Sequence, residues 1–391
     1  MKKENTFHEP LFHITKRDKI PLWKSMLIRV AAVVAALIFC AIFSYFFAGV
    51  DPIKLLTALI DGNFGTERRM WGMGKEIAIL LGIALALTPA FLMRFWNIGG
   101  EGQVLVGALG AVMCIMNFGA KVSASVLLLL MLVSAVLMGT LWGVIPSIFK
   151  ALWNSNETLF TLMMNYIAIE LTAYMIAGWA PNDNTLGELE MGHLNFFPDW
   201  EFGGECTVLI IILATTLLLY VFLNYSKQGY EISVVGESEN TARYIGINVK
   251  KVIIRTMALS GALCGLVGFL IVAVFDHSIT TATVGGQGFT AIMVSWLAKF
   301  NPLTMILTTF VVVFLNRGAD QLVSDLSNTR VDTFLNRGIE KHSAGETVPT
   351  GISSDFPSVI VGIILLFIVG CEFFINYQIK FKHSKSAKEA K

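Results

Sequence analysis

The sequence predicts an all-α, polytopic membrane protein: about ten transmembrane helices in two inverted five-helix halves, with both termini cytoplasmic. Three observations predict it. The chain is 55% hydrophobic and 15% charged, with mean hydropathy +0.67. Soluble domains carry about 25% charged residues. Four long runs hold no charge at all: residues 30–50, 122–149, 206–226 and 256–275. About 20 apolar residues span the hydrocarbon core. The alternating pattern of a membrane barrel is absent. Finally, the basic residues gather at the ends, Lys2, Lys3, Lys16, Arg17, Lys19, Lys24 and Arg29 before the first run and Lys380, Lys382, Lys385, Lys388 and Lys391 after the last. Positive charge stays on the cytoplasmic side, so both tails belong inside and the number of spans is even.

Ten spans fit the apolar runs. In order they are Met26–Ala48, Trp71–Met93, Gln103–Phe118, Val122–Ile148, Thr158–Trp179, Cys206–Asn224, Val252–Phe275, Phe289–Ala298, Pro302–Asn316 and Phe356–Tyr377. The eighth is short and reads as tilted or re-entrant. Basic tails cover residues 1–25 and 380–391, and a single transmembrane domain fills 26–379. The first run follows a polar tail and lacks a small-residue cleavage site, so it reads as a retained span. The loop after the fifth span carries six acids and no Lys or Arg, which places it outside. Residues 225–251 carry Lys227, Arg243, Lys250 and Lys251, which places them inside. Residues 317–355 then form a long outer loop. Within it Phe314–Gly318 recurs as Phe334–Gly338, a local duplication with no evident chemistry. Five spans on either side of the acidic loop give halves 26–180 and 206–379, the second inverted relative to the first.

Each half is interrupted by glycines. Phe95-Trp-Asn-Ile-Gly-Gly-Glu-Gly-Gln103 follows the second span, and Val284-Gly-Gly-Gln-Gly-Phe289 follows the seventh. A broken helix in hydrocarbon leaves backbone groups unpaired, and survives only where protein or a water path pairs them. Gly-interrupted segments at matching places in two halves point to a transport site. The candidate gating glycines are Gly99, Gly100, Gly102, Gly285, Gly286 and Gly288. The candidate pathway residues are Phe95, Trp96, Asn97, Glu101, Gln103, Asn165, Gln287 and Phe289. Amides and an acid offer hydrogen bonds to a polar solute, and the rings offer a stacking surface. Equally, the amides suit capping of helix ends and the rings a membrane interface. Glu170, inside the fifth span, is either solute-facing or structural, or else an acid coupled to an ion.

Several chemistries are excluded. No Walker A pattern is present, so any ATP is hydrolysed on another chain. Histidines are dispersed, and Cys40, Cys114, Cys206, Cys264 and Cys371 show no metal or disulfide spacing. A net charge of +1 gives no field for nucleic acid. In the inner loop, Glu237–Tyr244 suits a short amphipathic helix bracketed by Gly236 and Gly246. Such a helix serves either as a docking surface or as a solvated connection.

The segments 95–103, 161–168, 236–248 and 288–292 together resemble the permease subunits of bacterial ABC importers. The group is the branched-chain amino acid and ribose type superfamily, and the likeness is closest to its nucleoside and simple-sugar branch. The resemblance implies a multi-pass subunit of the bacterial plasma membrane that binds no cofactor itself. It implies a second permease subunit, homologous or identical, and ABC ATPase subunits that hold ATP and Mg. It also implies an extracellular solute-binding lipoprotein. Gly236, Glu237, Ala242, Arg243 and Gly246 would form the region that couples to the ATPase. Nucleosides are the implied solute, with ribose- or galactose-type sugars as the alternative. A stand-alone ion-coupled transporter is the rival from another class. The chain departs from the family's pattern in its long 317–355 segment, and in Val235 and Thr241 where Arg/Ala-type residues are usual.

Overall fold

A computed structural model describes residues 12–16, 22–48, 52–180, 186–338 and 377–381, with scattered positions between 359 and 373. The helices are α1 (Leu22–Ala48), α2 (Pro52–Phe64), α3 (Glu67–Leu92), α4 (Gly100–Phe118), α5 (Ala124–Trp153), α6 (Glu157–Trp179), α7 (Gly203–Tyr225), α8 (Lys227–Glu237), α9 (Glu239–Tyr244), α10 (Val249–Leu270), α11 (Gln287–Leu297) and α12 (Pro302–Gly338). A π-helical turn, Ile271–Asp276, extends α10. Strands β1 (Phe12–Lys16) and β2 (Tyr377–Phe381) pair antiparallel, with Phe12 opposite Phe381 and Lys16 opposite Tyr377. The chain divides into two units, Met1–Gly62 with Leu315–Lys391, and Asn63–Phe314.

In the first unit the described residues differ from expectation in three places. The fold is helical as expected, apart from a two-stranded ribbon between β1 and β2. Its strands alternate apolar and polar residues, as in Phe12-His-Ile-Thr-Lys16, the period of a strand rather than a helix. The outer loop expected at 317–355 does not begin at 317. Helix α12 runs on to Gly338 because no proline interrupts it, and both Phe-Leu-Asn-Arg-Gly copies lie inside it. The remainder, 339–355, falls outside the described residues, as does most of the tenth expected span. A short helix, α2, lies between the first two expected spans. Its Gly62 lies against Arg317 and Gln321, and Leu59 fills the space beside Gly318. Helix α1 packs on the last span through Phe39 and Phe367, 5.6 Å between ring centres.

In the second unit, the apolar stretches of α3, α4 and α10 are 78%, 78% and 67% buried, against 22–33% for α5, α6 and α7. The first three helices are therefore its centre. Seven described helices are long and apolar enough to cross a membrane: α3, α4, α5, α6, α7, Val249–Asp276 and Pro302–Leu322. The eighth expected span, α11, is an 11-residue half-helix, too short to cross alone.

The crossing of α4, α5 and α10 rests on small residues that the sequence reading passed over. Gly139-x-x-x-Gly143 on α5 meets Gly261-x-x-x-Gly265 on α10, the spacing that lets two helix backbones touch. A methyl group on Gly139 would lie 2.8 Å from the Gly265 Cα. One on Gly107 of α4 would lie 2.6 Å from the same atom. One on Gly265 would overlap the Ala135 carbonyl oxygen.

At the far end of this unit from α8 and α9, segment 186–202 is tied down. The Leu189 and Leu194 N–H groups donate to the His277 and Ala273 carbonyls at 2.7 and 2.8 Å. Ser278 Oγ donates to the Leu186 carbonyl at 2.7 Å. The rings of His193 and His277 stack with centres 3.8 Å apart. Burial first, then His193, hold His277 below the ordinary imidazole pKa, against the opposite pull of Glu188 and Asp276.

Two predictions follow from this packing. Gly265→Ala lowers stability by about 1–3 kcal/mol through overpacking. Gly178→Ala, where the added methyl meets nothing within 4 Å, is neutral or stabilising by up to about 1 kcal/mol. Thermal unfolding in detergent reads both. Because His277 is held below its ordinary pKa only while the segment is docked, the undocked state binds more protons than the docked one below about pH 6.5. Docking is thus complete above that pH and weakens as pH falls through it. Amide exchange at Leu189 and Leu194, corrected for its intrinsic pH dependence, accelerates between about pH 7.5 and 5.5; a flat profile contradicts the assignment.

Candidate functional site: two helix breaks joined by one carboxylate

Helix α3 ends where Arg94 takes a left-handed conformation (φ 59°). The Arg94 N–H donates to the Phe91 carbonyl and the Phe95 N–H to the Ala90 carbonyl, both at 2.9 Å, closing the helix end. The backbone freed over residues 95–102 is then paired by side chains. Thr161 Oγ1 accepts from the Ile98 N–H at 3.1 Å. Asn165 accepts from the Gly102 N–H at 2.9 Å and donates to the Ile98 carbonyl at 3.0 Å. Asn97 Oδ1 accepts from the Gly99 N–H at 3.0 Å and from Gln103 Nε2 at 3.2 Å. The Asn97 amide also donates to Ser260 Oγ at 3.2 Å. These bonds answer the requirement that buried donors and acceptors be paired.

The second break lies between the π turn and α11. Gly285 and Gly286 have φ of +60° and +79°, the left-handed region a side chain resists. The turn they make aims the first N–H groups of α11 back at α4. The Gly286 N–H donates to Glu101 Oε1 and the Gly288 N–H to Oε2, each at 2.8 Å. Glu101 stands in the first turn of α4, so its carboxylate meets the positive ends of two helices at once. Both bonds are charge-assisted. Gly288 is required by proximity: a Cβ there would lie 2.5 Å from the Glu101 backbone nitrogen.

The expected residues therefore divide. Asn97, Gln103 and Asn165 converge on the first break and are 0–3% exposed. Glu101 joins the two breaks. Phe95 is buried, whereas Trp96 and Phe289 are 44% and 45% exposed. Trp96 stacks on Trp296 of α11, ring centres 5.3 Å apart, and Phe289 stands apart from both Phe95 and Trp96. Gln287 is half-buried, and its Oε1 has no hydrogen-bond partner among the described residues. Phe91, Leu92, Arg94, Phe95, Trp96, Trp296 and Phe300 line a cavity of about 240 Å³. Thr161, Ser260, Trp296 and Phe300 were not among the expected site residues. Thr161 lies in a segment already noted, and Ser260 is marked only by its place one residue before Gly261. Nothing local marks Trp296 and Phe300.

The inner segment differs in detail from expectation. Two helices replace one. Ser226 caps α8 by accepting from the Gly229 N–H, and Ser238 caps α9 by accepting from the Thr241 N–H. Gly236 and Glu237 thus lie inside α8 and do not bracket a helix starting at 237. Gly236 is glycine because the Leu92 carbonyl of α3 occupies the space of its missing Cβ. Gly246 does end α9, at φ +86°, with the Ile247 N–H donating to the Ala242 carbonyl at 2.9 Å. Ala242 is fully buried, while Arg243 makes an exposed pair with Glu239 at 3.2 Å, worth little in stability. Tyr244 is 94% exposed. The Arg255–Glu231 pair at 2.6 Å ties α8 to α10. Among the described residues no group of three or more His, Cys, Asp or Glu is placed to hold a metal.

Interrupted helices meeting inside an apolar bundle are the arrangement that builds transport sites in membrane proteins. Residues 75–369 match the family described as branched-chain amino acid transport system / permease component, and the chain belongs to that family. It is 29% identical over 339 residues to the guanosine ABC transporter permease protein NupP of Bacillus subtilis (strain 168), covering 85% of this chain and 88% of that one. It is 23% identical over 398 residues to the glucose ABC transporter permease protein TsgB13 of Haloferax volcanii, covering 96% and 95%. It is also 24% identical over 314 residues to the nucleoside ABC transporter permease protein NupB of Lactococcus lactis subsp. cremoris, covering 77% and 86%.

Glu101→Ala leaves two buried N–H groups unpaired, each costing about 1–3 kcal/mol. Glu101→Gln keeps one acceptor and falls between Ala and wild type. Thermal unfolding midpoints in that order check the clamp; equal midpoints for Ala and wild type contradict it.

Proposed function

We propose that this chain is the permease subunit of an ATP-driven importer that carries nucleosides across the plasma membrane. The observation that carries the reading is the Glu101 clamp, because it makes the two helix breaks one mechanical element. The chain of contacts runs from α9 through α8 to the Gly236–Leu92 approach, along 95–102, and across Glu101 to the head of α11. A tilt applied at α8 is thereby passed to both breaks. A partner drives that tilt only by binding its two positions unequally.

In this reading residues 26–379 are one permease domain with halves 26–180 and 206–379, and both tails and 225–251 face the cytoplasm. Tyr244 and Ile245, exposed at the end of α9, meet the ATPase subunit, with Arg243 beside them. A second permease subunit completes the pore, and an extracellular lipoprotein delivers the solute to the opposite end. The deep amides Asn97, Gln103 and Asn165 hold the break in shape. Half-buried Gln287 and the exposed rings of Phe289, Trp96 and Trp296 are among the groups that meet solute. The guanosine and nucleoside permeases among the relatives support a nucleoside; the glucose permease supports a simple sugar as the second reading.

Vesicles carrying the full transporter test this. Guanosine uptake requires ATP and the lipoprotein, and glucose in excess leaves it unchanged. Gly246→Val strains the φ of +86° and lowers ATP-driven uptake at least about tenfold with the protein still inserted. Uptake by this chain alone, driven by an ion gradient, would overturn the proposal.

A further inference from the structure

Helix α6 has two faces of opposite character. Thr161, Asn165, Ala168, Thr172 and Ile176 are buried against the bundle. On the other side Met163, Tyr166, Glu170 and Tyr174 form an exposed row, with the tyrosines 59% and 75% exposed. Glu170 stands 13 residues beyond Glu157, about 20 Å along the axis from that end and about 14 Å from Trp179. It is therefore close to the middle of the span. It has no hydrogen-bond or ion-pair partner among the described residues. An acid at that depth facing lipid costs about 2.5–3.5 kcal/mol, and such residues face a protein interior or a water-filled path. Its side chain is too short to return to either interface. The same helix holds the first break on its buried face, so the exposed row turns with that break.

We propose that the Tyr166–Glu170–Tyr174 row lines the solute path and that Glu170 reads the vicinal hydroxyls of a ribose. A carboxylate offers acceptors and no donors, so it suits a ligand part rich in O–H groups. Two oxygens side by side match a 2′,3′-diol, the way acidic residues hold ribose in dinucleotide sites. Tyrosines one turn to either side give a nucleobase or a sugar face an apolar surface with a polar tip. The inference rests on the nucleoside reading above and narrows it to ribonucleosides over 2′-deoxyribonucleosides.

The test compares uptake of guanosine and 2′-deoxyguanosine by vesicles holding the complete transporter, with wild-type chain, Glu170→Gln and Glu170→Ala. Wild type favours guanosine by about tenfold or more, the scale of a hydrogen bond to a charged group. Both variants lose that preference while deoxyguanosine uptake changes less than twofold. Equal losses for the two solutes mark Glu170 as merely structural and overturn the inference. An unaltered preference in both variants overturns it too, leaving the nucleoside permease reading in place. Absence of any nucleoside uptake by wild type overturns that reading, and this inference with it.

Discussion

One carboxylate bridging two helix ends is the constraint on which the centre of this permease depends. Glu101 sits where α4 begins and where α11 begins, and it accepts one hydrogen bond on each oxygen from the α11 turn. Without it, two N–H groups of a half-helix would be buried unpaired in an apolar bundle, where backbone groups have no water to turn to. The burial of a charge is offset here by two charge-assisted bonds and two helix dipoles. That arrangement also fixes where α11 starts, and so places Trp296, about two and a half turns further on, against Trp96.

The glycines of the two breaks look alike in the sequence and serve different physical ends. Gly285 and Gly286 supply a left-handed backbone, while Gly102 and Gly288 supply room for a neighbouring backbone or side chain, as Gly236 does inside α8. The Gly139/Gly143 and Gly261/Gly265 pairs supply room of a third kind, at a helix crossing. All three uses follow from the missing Cβ. They give the bundle tight joints around α10, which touches α4 and α5 closely and is tied to α8 by Arg255 and Glu231. Helices that pack backbone to backbone move as bodies and deform little.

The polar residues read as candidates for a pathway show how one requirement can hide another. An amide in a membrane span is needed wherever a helix breaks, before any solute is considered. Asn97, Gln103 and Asn165 are consumed by that need, each bonded to backbone or to one another. Gln287 Oε1 and Glu170 are not, and neither has a hydrogen-bond partner among the described residues. Residue type alone does not separate the two groups; it takes the hydrogen-bond partners to do so.

Much of the architecture was legible from composition and run length, because a hydrocarbon core of fixed thickness demands apolar helices of fixed length. The starts and stops of α3, α5, α6, α7 and α10 fall within a few residues of the expected spans. The positions of both breaks followed from glycine, acid and amide interrupting apolar runs. Other features depend on contacts between distant residues and carry no local mark. The tail ribbon pairs positions more than 350 residues apart. Helix α12 continues through a polar stretch that resembles a loop by composition. Trp296 and Phe300 become neighbours of Phe91 and Trp96 only when α11 lies beside α3. Sequence by itself determined that the chain crosses a membrane repeatedly and breaks twice. Tertiary structure decided that the breaks face each other across Glu101, because hydrogen-bond partners 185 and 187 residues apart are chosen by folding and not by neighbouring chain.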